Sequence, residues 1–94
     1  MAEIKHVESS TKGSFDIYFE GEKAGSLTYT WAGEDKFIID HTEVDPKFSG
    51  KGLAKDLVVA AVSYAREKGK KVIPLCTYAN ATIRKNTELQ DVLA

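Results

Sequence analysis

Residues 47–54 read Lys47-Phe48-Ser49-Gly50-Lys51-Gly52-Leu53-Ala54. This stretch separates two hydrophobic patterns, and the change between them decides the fold. Before it, apolar residues alternate with polar ones, which is typical of half-buried strands. After it, apolar residues recur with the 3.6-residue period of a helix. We expect Ser49 to cap this helix and Gly69 to end it in a left-handed conformation.

Four strands are predicted before the loop, at 4–7, 14–20, 23–31 and 36–44, and a fifth at 72–76. Short connections between the first four indicate an antiparallel meander. The helix makes the fourth and fifth strands parallel, with a right-handed crossover. Pro74 offers no N–H group to a ladder, so it favours a break in pairing.

A short helix over 77–86 and an amphipathic, helical tail over 87–94 are expected to follow the fifth strand. The fold class predicted from these elements is α+β. It consists of a mixed, mostly antiparallel five-stranded sheet, one long crossover helix and a short C-terminal helix.

Length and composition narrow the class of protein. The 94 residues carry a net charge of −1 and one cysteine, Cys76. This length accommodates one domain, predicted at 1–94. One cysteine excludes an intramolecular disulfide and a zinc site with several thiolates, and we expect no metal. No apolar run approaches the ~20 residues of a membrane span. We therefore expect a cytoplasmic monomer without a membrane partner.

The net charge is small, but acidic and basic residues are distributed unevenly along the chain. Residues 1–45 hold four lysines and ten acidic residues, whereas residues 46–71 hold seven basic and two acidic ones. A basic segment inside a near-neutral chain indicates a local anionic ligand. The alternative is a solvated, lysine-rich helix surface. Nucleic acid is not expected, because Phe48 and Tyr64 are the only aromatic residues interleaved with these charges.

The glycine loop has the properties of a phosphate site. Gly50 and Gly52 let the backbone approach a ligand closely. The first turn of the following helix leaves N–H groups unpaired and partly positive, and Lys47 and Lys51 add full charges. The spacing matches neither the Walker loop nor the dinucleotide fingerprint. The alternative is a simple turn between strand and helix.

These residues carry a resemblance to a known family. The loop resembles motif A of the GNAT N-acetyltransferase superfamily, Q/R-x-x-G-x-G/A, and reads here Lys47-x-x-Gly50-x-Gly52. Lys47 keeps the charge of the usual arginine but not its forked geometry. Residues 41–44, 50–54 and 72–76 resemble a subfamily of very small, single-domain GNAT-like proteins. The resemblance covers residues 15–93.

The resemblance implies binding of acetyl-CoA, with the pyrophosphate on the backbone N–H groups of the loop and Lys51. It also implies that the fourth and fifth strands splay apart, and that pantetheine bonds to the exposed edge of the fourth and to Asn80. Arg84 and Lys85 would reach the phosphates, or form an exposed helix face. The cofactor-binding set is Thr42, Glu43, Val44, Lys47, Ser49, Gly50, Lys51, Gly52, Leu53, Ala54, Asn80, Arg84 and Lys85.

Three residues are candidates for the chemistry. Cys76, at the end of the fifth strand, is a candidate acyl-accepting nucleophile with His41 as its base. Alternatively, Cys76 is a small buried hydrophobe, the acetyl group moves directly to the amine, and His41 is structural. Members of the superfamily often use a tyrosine in the last helix to protonate the leaving thiolate. Tyr78 is the substitute here, or an aromatic packing residue.

The first two strands lack the two helices that typical GNAT domains place between them to shape the acceptor site. The acceptor pocket is therefore expected to be missing or open, which favours a protein or a bulky amine over a small enclosed metabolite. The predicted activity is acetyl transfer from acetyl-CoA to an unidentified amine. The alternative is a non-catalytic CoA-binding or interaction module.

Overall fold

The computed structural model describes residues 2–94 and contains one five-stranded sheet. Its strands are β1 (Ala2–Glu8), β2 (Lys12–Phe19), β3 (Glu22–Trp31), β4 (Lys36–Val44) and β5 (Lys71–Pro74), in that spatial order. The first four pair antiparallel, and β4 and β5 pair parallel. Helix α1 (Leu53–Lys68) connects β4 to β5, and α2 (Thr77–Lys85) follows β5. The predicted α+β fold is confirmed.

The turn between β2 and β3 shows how local chemistry sets the meander. Glu20 and Gly21 both have positive φ, at 50° and 85°. Positive φ at two successive residues is the geometry of a type I′ turn, whose twist matches that of the flanking strands. Within β2, the alternate residues Phe15 and Ile17 are buried, as the hydrophobic pattern predicts.

Glycines define both ends of α1. Gly69 ends it with φ of 67°, as predicted, and its N–H group bonds to carbonyls of the last turn. The prediction that Ser49 caps the helix is wrong, because Gly52 is the N-cap and offers no side chain. Ser49 instead closes a 3-10 helix, Pro46–Phe48, which the Asp45 carboxylate caps.

Both helices pack on the same face of the sheet. The core comprises Phe15, Ile17, Leu27, Tyr29, Phe37 and Ile39 from the sheet, Leu57, Val58, Ala61, Val62 and Ala65 from α1, and Ala79 and Ile83 from α2. The opposite face carries Ser14, Asp16, Ser26, Thr28 and Thr30, all partly or fully exposed. Within residues 2–94 no helix covers this second face, which we call the open face.

The fifth strand is shorter than predicted. Its pairing with β4 ends at Ile39 and Pro74. Since proline has no N–H group to continue the ladder, the chain turns away and Cys76 becomes the N-cap of α2 rather than the end of a strand. The tail forms a 3-10 helix, Thr87–Val92, and Leu93 then bridges to Val72 on the outer side of β5. None of the helices among residues 2–94 has the length and apolarity to cross a membrane.

Candidate functional site

A gap opens between β4 and β5 on the carboxyl side of their short pairing. The last register pair is Ile39 with Pro74, and the Cys76 N–H group then bonds to the Ile39 carbonyl. Residues 40–44 of β4 have no strand beside them on this side within residues 2–94. Their backbone therefore presents free N–H and C=O groups to a ligand.

A bulge in β4 lies where the gap begins. On β3, Thr28 pairs with His41 and Tyr29 pairs with Ile39, so Asp40 has no partner residue. Such an extra residue bends a strand and redirects its side chains.

The glycine loop borders the same gap. Gly50 and Gly52 have φ of 81° and 75°, and a Cβ on either would meet no atom within 4 Å. The first backbone bond of α1 runs from the Asp56 N–H group to the Gly52 carbonyl, so the N–H groups before Asp56 have no helical partner. A cavity of about 260 Å³ lies against this loop. Its lining is Val44, Phe48, Ser49, Gly50, Gly52, Leu53, Ala54 and Tyr78.

The two lysines of the loop differ in their surroundings. The Lys47 ammonium pairs with the Glu22 carboxylate, with an Nζ–Oε1 distance of 3.1 Å. The Lys51 ammonium lies over the Phe19 ring, 5.0 Å from its centroid, and has no carboxylate partner among residues 2–94. Of the two, Lys51 has the charge that remains uncompensated.

Cys76 and Thr42 face each other across the gap. Burial alone would raise the pKa of the Cys76 thiol, but the Ala79 N–H group, the Thr42 hydroxyl, and the N–H groups of Tyr78 and Thr42 lower it, and the net shift is downward. The sulfur makes no capping hydrogen bond. The buried Thr42 Oγ1 also has no hydrogen-bond partner among residues 2–94. These donors are therefore available to a thiolate or a ligand.

His41 lies elsewhere. The bulge at Asp40 reverses the alternation of β4, so His41 points to the open face, opposite Thr28, and Thr42 points to the helices, opposite the buried Leu27. The His41 side chain is 64% exposed, and its Nε2 lies 3.4 Å from a carboxylate oxygen of Glu43. The expectation that His41 and Cys76 reach the same point is not met.

The remaining candidates follow Cys76 on α2. Tyr78 is 41% exposed and lines the loop cavity. The Asn80 Oδ1 accepts a hydrogen bond of 2.9 Å from the Arg84 Nε, so these two side chains hold each other along the helix. Lys85 is exposed in the last turn.

The sequence model of the family described as GCN5-related N-acetyl-transferase matches residues 14–92. The chain belongs to this family. The match spans β2 to the tail, and so includes the gap, the glycine loop and α2.

Curated relatives and solved structures agree with this membership. Protein NATD1 of Xenopus tropicalis is 33% identical over 60 residues, 64% of this chain and 55% of that protein. Protein NATD1 of Danio rerio is 26% identical over 87 residues, 93% and 78% of the two chains. The chain thus matches about half the length of the first of these relatives.

Among solved structures, a GCN5-like protein from Staphylococcus aureus superposes with a TM-score of 0.73 at 33% identity, covering 98% of this chain and 87% of that one. The ribosomal-protein-S18-alanine N-acetyltransferase of Escherichia coli has a TM-score of 0.77 at 14% identity, covering 90% and 76%. At 14% identity, this similarity shows that the two chains share a fold.

Sequence reasoning missed two features of the site. The sequence predicts Asp40 as an ordinary strand residue, although aspartate is depleted in strands and follows the apolar run Phe37-Ile38-Ile39 here. Leu75, the residue before Cys76, is a large apolar side chain that is 69% exposed. Its exposure follows from the turn after Pro74, which the predicted longer strand concealed.

Proposed function

We propose that this GCN5-related chain binds acetyl-CoA in the gap between β4 and β5 and transfers the acetyl group to an amine. One observation carries the proposal: pairing of β4 with β5 stops at Ile39 and Pro74, at the end of the sheet where the positive-φ glycine loop begins α1. A free strand edge and a helix N-terminus then face one ligand.

The loop residues fit the pyrophosphate. Gly50 and Gly52 leave open space where other residues would carry a Cβ, and the N–H groups of Leu53 and Ala54 lie in the unpaired first turn. These groups, together with the uncompensated Lys51 ammonium, supply donors and positive charge for two phosphates.

The gap residues fit the pantetheine arm. The backbone edge of Thr42, Glu43 and Val44 offers amide partners, and the Thr42 hydroxyl is a buried donor without a partner among residues 2–94. Tyr78 lines the loop cavity together with Val44, at the end of this edge, and Leu75 exposes apolar surface next to Cys76. An arm with amides and methylene groups would satisfy the polar groups and cover the apolar ones.

The favoured route is direct transfer. Acetyl-CoA, when bound, supplies an activated acetyl thioester. The C–S bond is replaced by a C–N bond, and the acceptor ammonium gives up two protons, one to water and one to the departing sulfur. The Tyr78 hydroxyl lines the cavity and is the candidate donor of the second proton, recovering its own from the amine.

A second route through an acyl-Cys76 is favoured by one observation, the lowered pKa of the Cys76 thiol beside its four donors. The Cys76 thiolate would form a new S–C bond as the C–S bond to CoA breaks and CoA leaves as a thiolate, without His41 as a base. The amine would then form the C–N bond as the bond to Cys76 breaks, and of the two protons that the acceptor ammonium releases, one would go to the CoA thiolate and one to water. Cys76→Ala separates the routes: unchanged turnover excludes the acyl-enzyme, whereas loss of turnover with a mass gain of ~42 Da on Cys76 of the parent chain supports it.

Titration of the ¹⁵N-labelled chain with acetyl-CoA tests the proposal. We expect amide shifts concentrated at residues 42–44 and 50–54, and no response there would refute the binding site. A non-catalytic CoA-binding module is the remaining alternative. It would give the same shifts but no consumption of acetyl-CoA with any amine, whereas a transferase consumes it in an amine-dependent way.

A further inference from the structure

A second cavity, of about 520 Å³, lies on the open face and is not part of the gap. The side chains that β1–β4 direct toward it are Val7, Lys12, Ser14, Thr28, Thr30 and Asp40. The volume is within the range of small-molecule sites, about 300–1,000 Å³. The set combines one carboxylate, one ammonium and three hydroxyl groups.

Asp40 connects this cavity to the gap. It is the bulged residue of β4, directly after the last residue that pairs with β5. The Thr30 hydroxyl donates a hydrogen bond of 2.6 Å to one carboxylate oxygen of Asp40, which fixes the side chain over the open face. The other oxygen accepts no hydrogen bond from residues 2–94 and is free to hold an ammonium group.

Lys12 provides the opposite charge across β3. Thr30 pairs with Lys12 on one side and with Ile38, two residues before Asp40, on the other. Two strand spacings and two residues along β4 therefore separate the Cα atoms of Lys12 and Asp40, about 12 Å in all. The Lys12 ammonium has no ion-pair partner within residues 2–94. Val7, 58% exposed, gives the rim an apolar contact.

We propose that this cavity binds the acceptor amine, and that the acceptor is a small amino acid with its ammonium on Asp40 and its carboxylate on Lys12. The inference rests on the proposed function. An ammonium and a carboxylate joined by three single bonds lie about 4 Å apart. Each polar contact adds about 3 Å, and the flexible four-carbon stem of Lys12 brings its ammonium to a carboxylate held at this distance from Asp40. Asp40 both lines this cavity and follows the last residue of β4 that pairs with β5, so an amine held there lies beside the start of the gap.

Titration of the ¹⁵N-labelled full chain with β-alanine, propylamine and propionate tests this assignment. We expect β-alanine to shift the amides of residues 12–14, 28–30 and 40. Propylamine and propionate each keep one charge, so they should bind about fivefold more weakly. Equal affinities for β-alanine and either of the other two compounds would overturn the proposal, as would shifts located elsewhere.

Variants separate the two charges. Lys12→Gln should weaken the binding of β-alanine about fivefold and leave the affinity for propylamine unchanged, whereas Asp40→Asn should weaken the binding of both compounds. Lys5→Gln is the matched control, since Lys5 lies on the open face over the Tyr18 ring and outside the cavity. A Lys12→Gln chain that binds β-alanine like the parent would refute the carboxylate contact.

The amino-acid titration contains no acetyl-CoA. Its result therefore tests this inference separately from the proposed function. Shifts at residues 50–54 with acetyl-CoA but none on the open face with β-alanine would overturn this inference alone. Shifts on the open face without a response to acetyl-CoA would leave an amino-acid site and refute the proposed transferase.

Discussion

The aromatic cluster under β1 and the gap between β4 and β5 differ in whether their polar groups have hydrogen-bond partners. The cluster consists of His6, Phe15, Tyr29, Trp31, Phe37 and Tyr64, whose rings stack or meet edge to face. In it, His6 Nε2 bonds to the Tyr29 hydroxyl, and the Tyr64 hydroxyl donates to the Glu8 carboxylate at 3.0 Å. In the gap, the buried Thr42 hydroxyl has no partner among residues 2–94.

This difference shows where the fold is stabilised and where it can bind. Satisfied polar groups with packed rings favour a single arrangement, and burial raises the pKa of Tyr29 so that its hydroxyl stays protonated. A buried donor without a partner costs free energy, which a ligand can recover on binding. The cluster should therefore control stability, and the gap should control affinity.

The largest expected effect is a loss of stability in Gly13→Ala, whose methyl group would collide with the aromatic cluster. A Cβ at Gly13 would lie 2.5 Å from the Tyr29 hydroxyl oxygen and 2.8 Å from the Val7 carbonyl oxygen. Because the second atom belongs to the backbone, the strands must shift, and we expect a loss of about 3 kcal/mol of unfolding free energy. Urea unfolding measures it. Gly33→Ala, at a turn with φ of 92°, is the control at about 1 kcal/mol, and equal losses would contradict the prediction.

The next effect is on the gap, through Gly50→Ala. The matched control is Gly21→Ala, because both glycines have positive φ and open space around a Cβ. Both variants should lose about 1 kcal/mol of stability. Only Gly50→Ala should also weaken the binding of acetyl-CoA, about tenfold, since its methyl group would occupy the space through which the phosphates approach the loop. Calorimetric titration measures this, and the same affinity in both variants would argue against the loop as the phosphate site.

The strands and α1 were predictable because their signals are local. The alternation around Phe15 and Ile17 and the helical period from Leu53 to Ala65 each require one buried face, whatever the partner is. Gly69 was predictable for the same reason, since a helix end in the left-handed region favours glycine in any context.

The details of the site were less predictable because they depend on pairing between distant segments. The bulge at Asp40 arises from the registers of β3 against β4, which no single stretch encodes. Cys76 was expected to end a strand, although Pro74 already indicated that the pairing breaks. The plain alternation that buries Phe37 and Ile39 predicts His41 on the helix face, near Cys76, whereas the bulge at Asp40 reverses the alternation and places Thr42 there instead.

A smaller effect follows from the pH dependence of the cluster. Burial lowers the pKa of His6 below 6.5, and the charge of Glu8 opposes this only in part. The unfolded chain thus binds a proton at His6 more readily than the folded one. The stabilisation is present above pH 6.5 and is lost as the pH falls through the lowered pKa. The free energy of unfolding should therefore decrease less from pH 7.5 to pH 5 in His6→Gln than in the parent. Parallel plots of unfolding free energy against pH for the two chains would disprove this prediction.

The smallest effect concerns the reactivity of Cys76, which reports on the unused donors of the gap. Because those donors lower the pKa of its thiol below the ordinary value of 9.0 despite burial, alkylation by iodoacetamide should reach its half-maximal rate below pH 9. Thr42→Val keeps the shape of the side chain but removes the hydroxyl donor, so it should move that midpoint upward. Thr28→Val, on the open face, is the control. If Thr42→Val and Thr28→Val gave the same midpoint, the Thr42 hydroxyl would not be available to an anion in the gap, and its proposed role as a donor to the pantetheine arm would lose its support.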